Sequence, residues 1–186
     1  GDTNTAIRFP AADTVSAETG GSERIRIDSS GRLLINHSSS RAVSGATARI
    51  VQIEETDATA GLSIIRNTNG QSAAYLSLGK TRAGAVGGTT VVQDNDALGA
   101  IQFAGADGTD VQSVGAEIKA EVDGTPGSND MPGALTFNTT ADGAATTTER
   151  LRIDSGGDVT FKGASSDGKW DRSADAFVAN VTGNVT

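Results

Sequence analysis

The sequence predicts an all-β protein: elongated, built from short strands and hairpins in repeated units, and completed only when identical chains associate. Three observations carry that reading. Apolar residues recur with period two, and no window places them at i, i+3, i+4 and i+7 over three turns. Glycine occupies 24 of 186 positions, and serine and threonine are frequent, all of which disfavour helix interiors. Large apolar side chains are scarce, because much of the 36% hydrophobic content is alanine and only 4% is aromatic. Leu, Ile, Val and Phe make up roughly a fifth of the chain, close to the level at which a chain struggles to fold alone. Ordering each residue costs about 1–2 kcal/mol. A chain this poor in apolar area is either disordered or shares a core with copies of itself, and the strong alternation favours sharing.

The expected strands follow in order. The first group is Ala6-Ile7-Arg8-Phe9, Arg24-Ile25-Arg26-Ile27, Arg32-Leu33-Leu34-Ile35 and the run from Ala48 to Ile53. Leu62-Ser63-Ile64-Ile65, Tyr75-Leu76-Ser77-Leu78 and Ile101-Gln102-Phe103 come next. Glu117 to Val122, Leu135-Thr136-Phe137, Leu151-Arg152-Ile153 and Val159-Thr160-Phe161 complete the series. Each shows one apolar face, the mark of a half-buried strand. Turn formers separate them: Asp28-Ser29-Ser30-Gly31, Asn69-Gly70, Asp107-Gly108, Asp123-Gly124, Asp142-Gly143, Asp154-Ser155-Gly156-Gly157 and Asp167-Gly168. Glycine supplies positive φ there, and Asp and Asn bond their own backbone.

One sentence of sequence is written twice. "ERIRIDSSGRLLIN" begins at Glu23 and "ERLRIDSGGDVTFK" at Glu149, an offset of 126 residues (149 − 23). In each copy two apolar residues (Ile25/Ile27 or Leu151/Ile153) lead into a turn, and two more (Leu33/Ile35 or Val159/Phe161) follow it. The arginines alternate with them. The repeat is a β-hairpin building block with no chemistry of its own, as in proteins that grow along one axis. Ile7-Arg8-Phe9 before the first copy matches Leu135-Thr136-Phe137 before the second. The chain therefore divides into a hairpin module at 1–41, a β-rich middle module at 42–98, a second module at 99–163 with the repeated hairpin, and the start of a thin stalk-like repeat at 164–186. That last stretch holds Trp170 and ends on a doubled Asn-Val-Thr.

These residues resemble fibre proteins of tailed bacteriophages, especially tail fibres of phages of marine cyanobacteria. "TAIRFPAADTVSAETGGSERIRIDSSGRLLI" (Thr5 to Ile35) is similar to one module of such proteins. The stretch Gly99 to Gly157, with "GAIQFAGADGTD" and "TERLRIDSGG", resembles a second module that often precedes a C-terminal self-chaperoning domain. The "GNVT" repeat also occurs in these fibres. Ala42 to Asp96 carries the least likeness. The resemblance implies a homotrimer wrapped about a common axis, located in the virion, that serves host attachment. Its partners would be itself and other virion tail proteins, with any host glycan or protein contacted through regions outside this stretch. A head-decorating fibre or a bacterial surface adhesin is the alternative, and a tailspike-type glycan hydrolase a more distant one, since the long apolar runs of a parallel helix are missing.

Charge and composition exclude several other classes. The formal net charge is −8, against the basic face that a nucleic-acid partner requires. Cysteine is absent, so disulfides and thiolate metal sites are excluded. No run approaches the roughly 18 apolar residues of a membrane span. The chain starts at Gly1 and reads as part of a longer polypeptide.

No catalytic, cofactor-binding or metal residue is expected. The acidic pairs Glu54-Glu55, Asp94/Asp96 and Asp107/Asp110 read as turn or surface residues, because "DNDALGA" and "DGTDVQS" lack the following Glu of a calcium loop. His37 is the single histidine and reads as a loop residue, as do Ser38 to Ser40, which lack a Gly-x-Ser-x-Gly context. The glycines of Thr81–Thr90 lack a Gly-Lys-Ser/Thr and read as a mobile loop. Tyr75 and Trp170 could stack on a sugar, though packing is the commoner use. Asn180 and Asn184 fit Asn-x-Thr but read as a strand repeat. Asn67–Gln71, Thr81–Thr90 and Gly124–Pro132 are the loops expected to protrude.

Overall fold

A computed structural model describes residues 1–163 and 167–179. Among them there is no helix, and twelve strands form two sheets. The chain divides into two compact units, Gly1–Tyr75 with Asp110–Gln112, and Leu76–Thr109 with Ser113–Thr186.

The first unit carries β1 (Ala6–Arg8), β2 (Val15–Thr19), β3 (Ser22–Ile27), β4 (Leu33–Ile35) and β5 (Val51–Ile53), side by side in that order. β1 to β4 form an antiparallel meander, and β5 joins β4 in parallel. Partners across a ladder share a face. Ile7, Ala17, Ile25, Ile35 and Ile53 therefore form one apolar row, and Val15, Ile27, Leu33 and Val51 another. The opposite face bears Arg8, Ser16, Arg26, Leu34 and Gln52 in register.

The second unit carries β6 (Ala97–Gly105), β7 (Ser113–Val122), β8 (Gly133–Thr140), β9 (Thr147–Ile153), β10 (Val159–Phe161), β11 (Gly168–Asp171) and β12 (Ala176–Ala179). These follow one another across a single sheet, each pair antiparallel. The sheet thus continues past Gly163 to Ala179. Here too one face is apolar, with the row Ile101, Ile118, Phe137, Leu151 and Phe161 and the row Leu135, Ile153, Val159 and Trp170.

The duplicated sentence forms the same object twice. Ile25 pairs with Ile35 and Ile27 with Leu33, just as Leu151 pairs with Phe161 and Ile153 with Val159. The turns match bond for bond. Asp28 N donates to Arg32 O at 3.0 Å and Gly31 N to Asp28 O at 2.8 Å, while Asp154 N donates to Asp158 O and Gly157 N to Asp154 O, both at 3.0 Å. Gly31 and Gly157 hold φ of 74° and 86°, in the left-handed region that favours glycine.

The repeat extends further back than the hairpin, and not in the alignment expected from Ile7-Arg8-Phe9. The counterpart of Leu135-Thr136-Phe137 is Val15-Ser16-Ala17. Both segments pair with the first hairpin strand and both carry a bulge at the same point, Ala17/Glu18 and Phe137/Asn138. β1 then corresponds to β7, with Arg8 beside Ser16 and Lys119 beside Thr136. Four strands are duplicated, not two. β2 escapes a reading of hydrophobicity because Val-Ser-Ala-Glu-Thr has one large apolar residue.

Two expected strands find no partner. Leu62–Ile65 and Tyr75–Leu78 pair with no strand among the described residues. Alternation records which way side chains face and says nothing of what lies at the strand's edge.

Candidate functional site

The acidic candidates are all engaged structurally. Glu54 pairs with Arg41 at 2.7 Å, and Glu55 accepts from Asn36 Nδ2 and from Thr56 N. Asp96 is gripped by Arg82 through Nε at 2.6 Å and Nη2 at 2.9 Å, with Gln93 N donating at 2.9 Å. That hydrogen-bonded guanidinium, with the backbone of Gln93 next in weight, holds the Asp96 carboxyl far below the usual carboxylate range. Asp94 accepts from Gly124 N at 2.8 Å. Asp107 accepts from Thr109 N and Ser113 Oγ, and Asp110 from Gln112 N and Nε2. The backbone donations of Thr109 to Asp107 and of Gln112 to Asp110 are turn-closing bonds of the Asx kind.

The remaining candidates stay apart. His37 Nδ1 sits 3.0 Å from the carbonyl oxygen of Ser39, within its own loop. Among the described residues no three His, Cys, Asp or Glu come together as a cation site. The loop Thr81–Thr90 is tied at its base, Arg82 N to Thr90 O at 3.1 Å and Thr81 Oγ1 to the same oxygen at 3.0 Å. Gly124–Pro132 is likewise closed, by Asp123 N to Pro132 O and a bridge between Gly127 and Asp130. Asn67–Gln71 lies exposed on a bend. Trp170 pairs in the ladder with Phe177, whose ring lies 6.5 Å from that of Phe161, and both Trp170 and Tyr75 stand exposed. Asn180 and Asn184 lie outside the described residues.

What the structure does present is an apolar surface. Among the described residues the buried hydrophobic core is only Leu34, Val92, Val122 and Ala134. Ile7, Ile25, Ile27, Val51, Ile101, Phe103, Phe161 and Phe177 face outward, and Ile25 and Ile27 are 44% and 47% exposed. On the opposite faces it is the small hydroxyl residues Ser16 and Thr136 that are buried, beneath charged neighbours. Ser16 lies between Arg8, paired with Glu18, and Arg26, paired with Glu23. Thr136 lies between Lys119 and Arg152, whose head groups converge on Glu121 at 2.7 and 2.6 Å. Arg152 also binds Asp123 at 2.7 Å and, more loosely, Glu149. Backbone donation from Ser155 and the Arg152 guanidinium hold the Asp123 carboxyl below its ordinary 3.8. Partial burial pushes Glu121 up, and the hydrogen bonds of Lys119 and Arg152 more than reverse it.

The exposure is large for a chain of this size. Two independently folded halves of its 18.7 kDa would expose together about 10,000 Å². The chain exposes 12939 Å². The excess is about 3,000 Å², so much of the chain's surface is not turned inward.

No family model and no curated protein matches the sequence. Among solved structures, the carboxy-terminal domain of the bacteriophage T5 L-shaped tail fibre matches with TM-score 0.64 and 14% identity, over 88% of this chain and 74% of that one. The same domain with its intra-molecular chaperone domain matches with TM-score 0.68 and 12% identity, over 88% of this chain and 51% of that one. The fold is that of a phage tail-fibre domain. Within it, apolar rows face outward on both sheets. Period two had marked these rows. The extent of the four-strand duplication was legible only through register.

Proposed function

We propose that this chain is a shaft segment of a trimeric phage virion fibre, a tail fibre that serves host attachment. The observation that carries the proposal is the outward apolar face of both sheets in a chain with the tail-fibre fold. The excess surface and the near-absence of a private core are accounted for when three copies bring those faces together along a common axis. The polar faces, already satisfied by ion pairs, then meet water. The work of such a segment is mechanical: it transmits position and force, and its unfolding is coupled to dissociation. Every loop expected to protrude is small and polar, and two are tied at their bases, so receptor contact is assigned to parts of the fibre outside this segment. Its partners are itself and neighbouring virion proteins.

Sedimentation equilibrium tests the assembly: a trimer mass is expected, and a stable, folded monomer refutes it. Immunogold labelling of intact particles tests the placement, with label along the tail fibres expected. Label confined to the head would favour the decorating-fibre reading. Deleting Thr81–Thr90 should leave adsorption to host cells nearly unchanged; loss of adsorption with the trimer intact would make this segment the receptor-binding part.

A further inference from the structure

Every residue from Thr56 to Arg82 is exposed. Near the middle of that run lies Asn69-Gly70, in the first unit, and Asn69 is the one asparagine of the sequence that glycine follows. The pair has the residues of a hairpin turn and does not make one. A two-residue Asn-Gly hairpin turn holds both residues at positive φ. Neither Asn69 nor Gly70 has a positive φ, and among the described residues no main-chain hydrogen bond closes the bend from Asn69 to Gln71. The Gly70 amide donates to Thr68 Oγ1 at 3.1 Å, and among the described residues no hydrogen bond holds the Asn69 side chain. Other asparagines are tied: Asn36 Nδ2 donates to Glu55, Asn95 Nδ2 to Asp94 at 3.0 Å and Asn138 Nδ2 to Thr136 at 3.0 Å. Asn67 is exposed like Asn69, but the branched side chain of Thr68 crowds the nitrogen that follows it. Glycine has no Cβ, so the Gly70 nitrogen is open to approach.

We propose that Asn69 is a modification site, converted to aspartate and isoaspartate by attack of the Gly70 nitrogen on its side-chain amide. Hydroxide takes the proton from Gly70 N, and the nitrogen bonds to Asn69 Cγ. The Cγ–Nδ2 bond breaks, and Nδ2 takes up a proton from water and leaves as ammonia. Water then opens the five-membered imide. Opening at Cγ gives aspartate, and opening at the main-chain carbonyl carbon gives isoaspartate. No electrons are transferred, and water is the single co-reactant. The bend belongs to no ladder, so no strand pairing has to break for the imide to form. Each event replaces a neutral amide with a carboxylate, and the isoaspartate product inserts an extra carbon into the main chain. The inference needs only the free bend and goes beyond the fibre reading.

Peptide mapping by mass spectrometry tests this on the full native chain aged in mildly alkaline buffer. Conversion at Asn69 should run at least about tenfold faster than at any other asparagine and stay within about tenfold of its rate in the urea-unfolded chain. Both isomers should form. A smaller lead, or a native rate further below the unfolded one, overturns the inference. So does aspartate without isoaspartate, the mark of direct hydrolysis by water. Gly70→Ala should remove the lead while circular dichroism stays unchanged, since an added Cβ would stand 3.5 Å from Thr68 Oγ1, an ordinary contact. A Gly70→Ala chain that converts as fast as its parent would overturn the assignment to the Gly70 nitrogen. The comparison among asparagines of the parent chain needs no variant and decides the matter even if this one misfolds.

Discussion

Truncating Ile25 and Ile27 to alanine separates assembly from folding. Both sit on the outward apolar face, 44% and 47% exposed in the single chain. Burying an isoleucine completely contributes about 1.5–3 kcal/mol, so the half still exposed contributes about 1 kcal/mol when assembly covers it. The half already buried is lost in free chain and trimer alike and cancels from the association equilibrium. Two such residues in each of three chains amount to about 6 kcal/mol per trimer. At 1.4 kcal/mol per decade this is roughly four decades in the trimer dissociation constant. Sedimentation across a concentration series measures it, with far-UV circular dichroism reporting the strand content. Ile25→Asp with Ile27→Asp should abolish assembly, since six carboxylates would then enter the interface without partners. An unchanged dissociation constant for the alanine variant, with the sheet intact, would show that this face meets water in the assembled protein and would remove the basis for the fibre reading.

Two further predictions rest on local geometry. At Gly31, φ is 74° and a Cβ would meet nothing within 4 Å, so Gly31→Ala should cost about 1 kcal/mol from backbone strain alone and Gly31→Asn less, as thermal melts will show. Asp123 and Glu121 are held below their ordinary 3.8 and 4.5, so the unfolded chain binds protons more readily than the folded one; the melting temperature should hold steady above those values and fall as pH drops through the lowered ones, and Asp123→Asn should remove part of that fall.

The fold class and the duplicated hairpin were legible because both depend on local chemistry. Ile25, Ile27, Leu33 and Ile35 announce a face by alternation, and Asp28 and Gly31 announce the turn by residue type. β2 was not legible, since Ala17 and Ser16 have no hydrophobic signal and gain their place by pairing with Ile25 and Arg26. The partner of a strand is also not local information. Leu62–Ile65 and Tyr75–Leu78 have the alternation of strands, and no strand among the described residues pairs with them. The candidate acids read as turn residues from Asp-Gly spacing alone, but the three-way grip of Glu121, Asp123 and Glu149 on Arg152 joins β7, the turn after it and β9, and no spacing rule contains it.

The two faces of these sheets explain why the chain can be so poor in large apolar residues and still keep one register. In a self-sufficient domain the apolar face turns inward and the charged face meets water. Here the charged face is already closed in each copy of the repeat: Glu23 holds Arg26 over one small hydroxyl residue, Ser16, and Glu149 shares Arg152 with Glu121 beside another, Thr136. The cation beside each hydroxyl is fixed by its position opposite in the ladder, so a slip of one residue would bring an isoleucine or a leucine into the ion-pair row and strand the arginine on the apolar side. Exposed ion pairs add little stability, about 0–1 kcal/mol each, but here their placement specifies the register. The apolar face, freed of that task, is left uniform and uncharged, which is what a surface must be if identical copies are to close on it about an axis.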